Sequence, residues 1–254
     1  MIKRTGSIAL TFLIFVCIPA MHASEHNTAN QGKRGLAIIG DAWHCAAPLY
    51  QAIVKQMEAK GIQTDVVYDN DAPFDRLADY DIIVISRYRV NDLHNFQNGL
   101  FLKGPKTKEN IWVTHDQENE LEEYVQNGGS LFMHHDGHCY YNKNGAITRL
   151  AKATHNGHPA KIEIEIYPTG DMPELIEGIE PFRVNEEEFR MEIQDSTTVF
   201  LKSHSEEHGT ANQGWAHEYG KGKVVVLVPG HDTHGLQHKM VRRLISNAVD
   251  YLTH

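Results

Sequence analysis

Cysteine and long apolar runs are both scarce in this chain of 254 residues. It has three cysteines, and one of them, Cys17, lies in the apolar N-terminal stretch. The remaining two, Cys45 and Cys139, are too few for a disulfide scaffold, although an exported protein could pair them. After the N-terminal stretch no apolar run is long enough to span a bilayer, so we expect no membrane span in the mature chain.

Clusters of basic residues are missing as well. The chain has 24 lysines and arginines against 33 aspartates and glutamates, a formal net charge of -9. An acidic chain without a basic patch is a poor ligand for nucleic acid or for an anionic membrane surface. We therefore expect no nucleic-acid partner.

The first 23 residues have the pattern of a secretory signal peptide. A basic start, "MIKR", precedes the apolar "SIALTFLIFVCIPA", and small residues lead to a cleavage point after Ala23. We predict a signal peptide over residues 1–23, a disordered lead-in over 24–33 and one folded domain over 34–254. The mature protein would be periplasmic or secreted, with a net charge of about -11 after cleavage. An uncleaved N-terminal anchor is the alternative.

Segments typical of strands and helices alternate along the first part of the domain. The runs "RGLAIIG", "YDIIVIS" and "SLFMHH" are apolar on both faces, and a capping box of Thr114 and Gln117 begins a helix. This pattern predicts a mostly parallel sheet covered on both sides. From Lys161 the strict alternation of "KIEIEIY" predicts strands with one face in water. The last helical segment has an apolar stripe of Leu236, Met240, Leu244, Ala248 and Leu252.

Seventeen histidines are present, and several follow predicted strands. His44 follows the first strand, His134 and His135 end the "SLFM" strand, and His231 and His234 follow "VVVLVPG". Ligands of open α/β sheets bind at the carboxyl ends of the strands, so these side chains are expected at one edge. Imidazoles with carboxylates suit zinc, manganese or iron, and they also suit proton transfer near neutral pH.

Two features leave alternatives open. Neighbouring residues on a strand point to opposite sides, so only one of His134 and His135 should face the site, while the other packs in the core or binds another group. The run of Glu186, Glu187 and Glu188 is either a solvated charge run or a source of carboxylate ligands.

Two other enzyme classes lack their signals. In "MHHDG" the nucleophile position of a strand–turn–helix elbow is held by His135, and Cys139 has no elbow glycines around it. A cysteine or serine hydrolase is therefore disfavoured. The segment "GDAWHC" lacks the second and third glycines of a dinucleotide-binding loop.

The segments "GDAWH", "YDIIVI", "ELEEYVQNGGSLFMHHDG", "HNGHP", "NEEEF" and "WAHEYGKGKVVVLVPGHD" resemble the trehalose-utilisation, or ThuA-like, family. The resemblance covers about Arg34 to Leu252. It implies a single-domain α/β fold, a doubly wound, flavodoxin-like or class I glutamine amidotransferase-like three-layer sandwich. It also implies bacterial sugar catabolism, often alongside 3-keto sugars. The matched positions are His44, His135, His158, Glu187, His217 and His231. His134 replaces the usual aliphatic residue.

We expect an exported enzyme that acts on a glycoside or 3-keto-sugar derivative. A divalent metal ion would be held by His135 and His231, together with His44 or Glu187. His158 or His217 would transfer protons, and Glu187 is the carboxylate candidate for catalysis if it is not a ligand. A small carbohydrate would be the partner, and oligomer formation is left open. The residues expected to contact this carbohydrate are Trp43, His134, Asp136, His138, Tyr140, Asp232 and His234. A non-catalytic sugar-binding protein is the alternative.

Overall fold

One nine-stranded sheet with helices on both faces organises the described part of the chain. The computed structural model describes residues 32–41, 43–68, 71–89, 96–97, 100–101 and 111–254. Within this part, Gly32–His254 forms one compact unit. The predicted signal peptide and nearly all of the predicted lead-in lie outside the described residues and stay predictions. Among the residues described, no helix has the length and apolar character that a bilayer crossing requires.

The strands and helices have the following bounds. The strands are β1 (Arg34–Ile39), β2 (Gln63–Val67), β3 (Ile82–Ser86), β4 (Phe96–Gln97), β5 (Leu100–Phe101), β6 (Ser130–His134), β7 (Ala153–His155), β8 (Ile162–Pro168), β9 (Phe182–Glu186), β10 (Met191–Ile193), β11 (Thr198–Ser205), β12 (Gly209–Tyr219) and β13 (Gly222–Leu227). The helices are α1 (Ala46–Leu49), α2 (Lys55–Ala59), α3 (His115–Gln126), α4 (Ala146–Ala151), α5 (Pro173–Ile176), α6 (Thr233–Gln237) and α7 (Lys239–Thr253). A π-helical segment, Tyr50–Val54, joins α1 to α2, and 3-10 helices span Phe74–Asp79 and His135–His138.

The two halves of the sheet differ in strand direction. Its order is β2-β1-β3-β6-β13-β12-β11-β8-β9. The five strands from β2 to β13 pair in parallel, in the order typical of flavodoxin-like folds, and the remaining four continue the sheet antiparallel. The predicted α/β fold is confirmed, and the change of pattern at Lys161 marks the start of β8. In β8, Ile164 and Ile166 are buried and Glu163 is exposed, as the alternation predicts.

Each face of the parallel half packs against its own helices. One apolar cluster joins the sheet to the α1–α2 segment and α7, with Ile53 and Leu244 fully or almost fully buried. The other joins the sheet to α3 and α4 through Leu121 and Leu150. Full burial of such a side chain contributes about 1.5–3 kcal/mol relative to exposure. All five residues of the predicted C-terminal stripe are buried, so the three-layer arrangement follows from apolar faces that the sequence already displays.

A tight turn follows β6 and carries the chain from the sheet into the cleft. The backbone of Gly137 lies against the end of β3, where a Cβ atom would stand 2.0 Å from the carbonyl oxygen of Ile85. That separation is far below van der Waals contact, so the turn requires glycine here. His135 opens the same turn with a φ of 49°.

We expect Gly137→Ala to destabilise the protein by about 2 kcal/mol or more, because the new methyl group must push the turn away from β3. Urea unfolding at neutral pH measures this change. Gly32→Ala is the control, since its Cβ would meet only the Gly61 carbonyl oxygen, at 3.7 Å. Equal unfolding free energies for the two variants would contradict the argument.

Candidate functional site

Strand direction brings four chain segments to one edge of the sheet. His44 follows β1, His135 follows β6 and His231 follows β13. Strand β9 runs in the same direction as the parallel strands, because four successive antiparallel pairings separate it from β13. Glu187, which follows β9, is therefore delivered to the same edge.

Three histidines converge there. His44, His135 and His231 each offer a ring nitrogen, and these nitrogens lie within 4.8 Å of one another. The ring centroids of His44 and His135 are 4.9 Å apart, and each lies 5.1 Å from that of His231. Together they form the histidine cluster, and its spacing is compatible with a single cation bound between the three rings.

Backbone and carboxylate contacts orient two of these rings. Nδ1 of His135 lies 2.8 Å from the carbonyl oxygen of Val228, which only accepts hydrogen bonds, so Nδ1 carries the proton. Nε2 of the neutral ring is then a lone-pair donor, 3.1 Å from Nδ1 of His231. Nδ1 of His44 contacts both carboxylate oxygens of Asp41, at 3.0 and 2.9 Å. The Nε2 atoms of His44 and His135 are thereby left for the cleft.

Glu187 adds a carboxylate to the cluster. Its Oε2 lies 3.4 Å from Nε2 of His135 and 3.3 Å from Nδ1 of His231, and its Oε1 lies 3.7 Å from Nδ1 of His158. Burial opposes ionisation, but hydrogen bonds and charge from His135 and His231, when these rings are protonated, hold the pKa of Glu187 well below its usual range. The carboxylate is therefore an anion at neutral pH.

The other two glutamates of the "NEEEF" run are buried. Glu186 accepts hydrogen bonds from the backbone N–H groups of Gly230 and His231, at 3.1 and 3.2 Å, and burial raises its pKa. Glu188 accepts from the hydroxyl groups of Ser203 and Ser205, at 2.7 and 2.8 Å. The run is thus not a solvated charge run: Glu187 faces the cluster, Glu186 fixes the backbone at His231, and Glu188 binds two serine hydroxyl groups of β11.

A cavity of about 350 Å³ opens over the cluster. Its lining consists of Trp43, His44, Tyr88, Asp136, Tyr140, His158, Glu187 and His231. Trp43 is 62% exposed and Tyr140 44% exposed, and the ring of Tyr140 lies 5.1 Å from that of Tyr88. This size falls in the range of small-molecule sites. A larger cavity of about 600 Å³ lies between the Phe74–Asp79 helix and α3, but no histidine lines it.

Asp136 and His158 flank the cluster inside this cavity. Asp136 is almost fully buried, and its Oδ2 lies 3.7 Å from Nε2 of His44. Nδ1 of His158 lies 2.9 Å from the carbonyl oxygen of Pro159, which leaves Nε2 as the acceptor of the neutral ring. The ring of His158 stacks on Phe189, at 5.0 Å between centroids. Both side chains can therefore exchange protons with a ligand in the cavity.

Two predicted ligand contacts, His134 and His138, lie in the core instead. His134 is fully buried, with Nδ1 2.8 Å from Oγ of Ser86 and Nε2 3.1 Å from the carbonyl oxygen of Pro229. The ring of His138 lies 5.3 Å from that of Trp215. Burial lowers the pKa of each histidine to about 3, so both side chains are neutral. They pack in the core beneath the turn that follows β6.

Three further predicted residues lie outside the cavity lining. His217 is buried in β12, where its Nε2 lies 2.9 Å from the carbonyl oxygen of Leu150. It pairs with Val224 near the start of β13, whereas the cluster lies beyond the end of that strand. Asp232 caps α6 and pairs with Lys161, and His234 is exposed on α6. The structure therefore offers no contact through which His217 would transfer protons in this cavity.

Sequence reasoning did not single out Asp41, Tyr88 or Phe189, and it named Glu186 only as part of the glutamate run. Asp41 had a local signal, because an aspartate three residues before His44 in a turn commonly accepts the following backbone N–H groups. Tyr88 follows β3 and had only its position at a strand end. The contacts of Phe189, and those of Glu186 with Gly230 and His231, join segments distant in the chain, so no local pattern indicates them.

The two cysteines within the described residues are unpaired, with Cys45 exposed and Cys139 buried. Burial raises the pKa of the Cys139 thiol well above its usual value. A buried neutral thiol is a poor nucleophile, which agrees with the absence of an elbow motif.

Comparisons with known proteins identify a family that matches this chain and solved structures with a similar fold. A family model described as ThuA, trehalose utilisation, matches residues 37–252. No curated protein matches the chain in a sequence comparison. Among solved structures, a ThuA-like protein from Parabacteroides merdae has a TM-score of 0.65 at 14% identity, covering 88% of this chain and 90% of that one.

Two other solved structures share the fold. A ThuA-like protein from Bacteroides uniformis has a TM-score of 0.64 at 14% identity, covering 87% of this chain and 91% of that one. A beta-galactosidase from Bacillus circulans sp. alkalophilus has a TM-score of 0.57 at 10% identity. The match covers 83% of this chain but only 30% of the galactosidase, so the likeness concerns one part of that enzyme.

We expect His217 to make the protein less stable as the pH falls. Folding lowers its pKa from about 6.5 to about 4, mainly by burial, so between these values the unfolded chain binds a proton that the folded chain excludes. From pH 7 to pH 5 the unfolding free energy should drop by about 1–2 kcal/mol more in the wild type than in His217→Gln. Urea unfolding at both pH values measures it. His204→Gln, at an exposed position, should keep the wild-type dependence. An unchanged pH dependence in His217→Gln would refute the expectation.

Proposed function

This chain belongs to the ThuA family, trehalose utilisation, and on that premise we propose that it is a metal-dependent enzyme acting on a glycoside or a 3-keto-sugar derivative. Family membership implies a role in carbohydrate utilisation. The reaction that we propose is of the hydrolysis or isomerisation type, and its site is the cavity over the histidine cluster.

One observation carries the proposal. Nε2 of His135, Nδ1 of His231 and Oε2 of Glu187 are 3.1 to 3.4 Å apart. Because Nδ1 of His135 already donates to Val228, the Nε2 atom of its neutral ring has a lone pair and no proton. Electron-pair donors that face one another at these distances need a shared hydrogen atom or a metal ion between them. Nε2 of His44 offers a further donor from the opposite wall.

The donor set fits a divalent metal ion. Three imidazoles and one carboxylate are suitable ligands for zinc, manganese or iron. His44, His135 and His231 would hold the ion with Glu187, and backbone or carboxylate contacts already orient two of the imidazoles. A bound ion would supply a Lewis acid that polarises a sugar carbonyl or lowers the pKa of a water molecule.

The remaining side chains would bind the sugar and move protons. The carboxylate of Asp136 and Nε2 of His158 border the cavity, and each could accept a proton from a hydroxyl group or a water molecule. Trp43, Tyr88 and Tyr140 present aromatic faces, which attract the polarised C–H groups on the face of a sugar ring.

We expect the purified protein to bind one divalent ion, and His135→Gln to weaken this binding at least 100-fold. Glutamine cannot place a nitrogen lone pair where Nε2 of His135 lies, so one ligand is lost. Elemental analysis and titration with zinc, manganese and iron(II) measure the stoichiometry and affinity. His204→Gln is the matched control, because His204 is exposed on β11 and away from the cluster. A wild-type protein that binds none of these ions would overturn the proposal.

We expect Trp43→Ala to weaken sugar binding by about 3- to 10-fold, as the loss of one aromatic face would, while metal binding stays unchanged. Calorimetric titrations with trehalose and with 3-keto glucosides measure the affinities. Tyr68→Ala, at an exposed tyrosine that does not line the cavity, is the control. A sugar that binds without turnover, and equally well to His135→Gln, would instead identify a non-catalytic binding protein.

A further inference from the structure

Asp41 connects the loop after β1 to the loop after β3, and both loops line the cleft. It lies directly after β1, and its side chain is fully buried. Its Oδ1 accepts hydrogen bonds from the backbone N–H groups of Trp43 and His44, at 2.7 and 2.9 Å. Its Oδ2 accepts from the backbone N–H of Tyr88, in the loop after β3, at 2.6 Å. One carboxylate thus joins segments that are 47 residues apart.

The same carboxylate also fixes the ring of His44. Nδ1 of His44 lies 3.0 Å from Oδ1 and 2.9 Å from Oδ2 of Asp41. A carboxylate only accepts hydrogen bonds, so Nδ1 must carry the proton, and the lone pair of the neutral ring is placed on Nε2. Nε2 is the atom that faces Asp136 and the cavity.

We infer that Asp41 is a positioning residue that holds His44 in the Nδ1–H form and so prepares Nε2 to bind the cation of the histidine cluster. This inference rests on the proposed metal-dependent function and assigns to Asp41 a part in it. The carboxylate does not line the cavity itself, so its effect on a ligand passes through His44.

An amide in place of the carboxylate would reverse this arrangement. In Asp41→Asn the single oxygen best replaces Oδ1, where two backbone N–H groups converge. The amide NH₂ group then stands at the Oδ2 position, facing the N–H of Tyr88 and donating to Nδ1 of His44. His44 would move its proton to Nε2, where it blocks the bond to a cation.

The test measures zinc affinity by competition with a chromophoric chelator. We expect Asp41→Asn to bind zinc about 10- to 100-fold more weakly than the wild type, the range usual for loss of a residue that orients a histidine ligand. Asp81→Asn is the matched control: its Oδ2 accepts the backbone N–H of Arg34 at the opposite end of β1, so zinc affinity should not change.

A double-mutant cycle separates positioning from a general structural role. If Asp41 acts through His44, Asp41→Asn should change zinc affinity less than about twofold in a His44→Gln background. A full additional loss in that background, or wild-type affinity in the single variant, would overturn the inference. A wild type that binds neither zinc, manganese nor iron(II) would overturn the proposed function together with it.

A measurement on the wild type covers the case in which Asp41→Asn does not fold. Long-range proton–nitrogen NMR correlations of the zinc-loaded protein report which nitrogen of His44 carries the proton. A proton on Nδ1, with Nε2 shifted by the metal, is expected. A proton on Nε2 in the zinc-loaded protein would overturn the inference while leaving metal binding by the other residues intact.

Discussion

The common direction of seven strands, five in the parallel half and two in the antiparallel half, is the constraint on which the site depends. β1, β3, β6 and β13 are parallel, and their carboxyl ends meet at one edge, as in other open α/β sheets. The antiparallel half keeps this relation, because an even number of reversals returns β11 and β9 to the direction of β13. The glutamates at the end of β9 consequently reach the same edge as the histidines, although β9 belongs to the antiparallel half of the sheet.

Buried polar contacts convert this rough convergence into a defined geometry. A buried carboxylate or imidazole is costly unless it is hydrogen-bonded, and each of the central groups has partners. Glu186 binds the backbone before and at His231, Asp41 binds the loops after β1 and β3, and Val228 holds the ring of His135. Each contact joins segments that follow different strands, so movement of one side chain is resisted by its partners on the neighbouring strand ends.

The sequence displays the fold more openly than the site. Apolar runs, the capping box of α3 and the C-terminal stripe are local patterns, and the structure confirms them because local burial and helix capping determine them. Strand-end position correctly indicated that His44, His135 and His231 come together. Alternation along β6 limited the cleft to one of two adjacent histidines. The sequence analysis placed His135 among the metal ligands, and the structure directs His135 into the cleft and buries His134.

The misplaced residues share a physical cause. His217 lies in β12, which precedes β13 in the chain but runs antiparallel to it. His217 is therefore near the start of β13, whereas the site lies beyond the end of β13. His138 is polar and follows the end of β6, but the tight turn directs its side chain into the core, against Trp215. Such placements depend on chain direction and on turn geometry, which the composition of a segment does not reveal.

The turn after β6 also fixes the positions of two cavity walls relative to each other. His135 and Tyr140 both adopt positive φ angles, 49° and 62°, which cost about 1 kcal/mol or more for residues with a side chain. They stand on either side of the segment in which Gly137 lies against β3 and His138 is buried. The core therefore holds the middle of the turn in place. At its two ends, the ring of His135 points towards the histidine cluster and the ring of Tyr140 towards the rim of the cavity. A ligand that contacts Tyr140 and a cation bound by His135 would be held at a fixed separation by the six residues from His135 to Tyr140, which the core packs against.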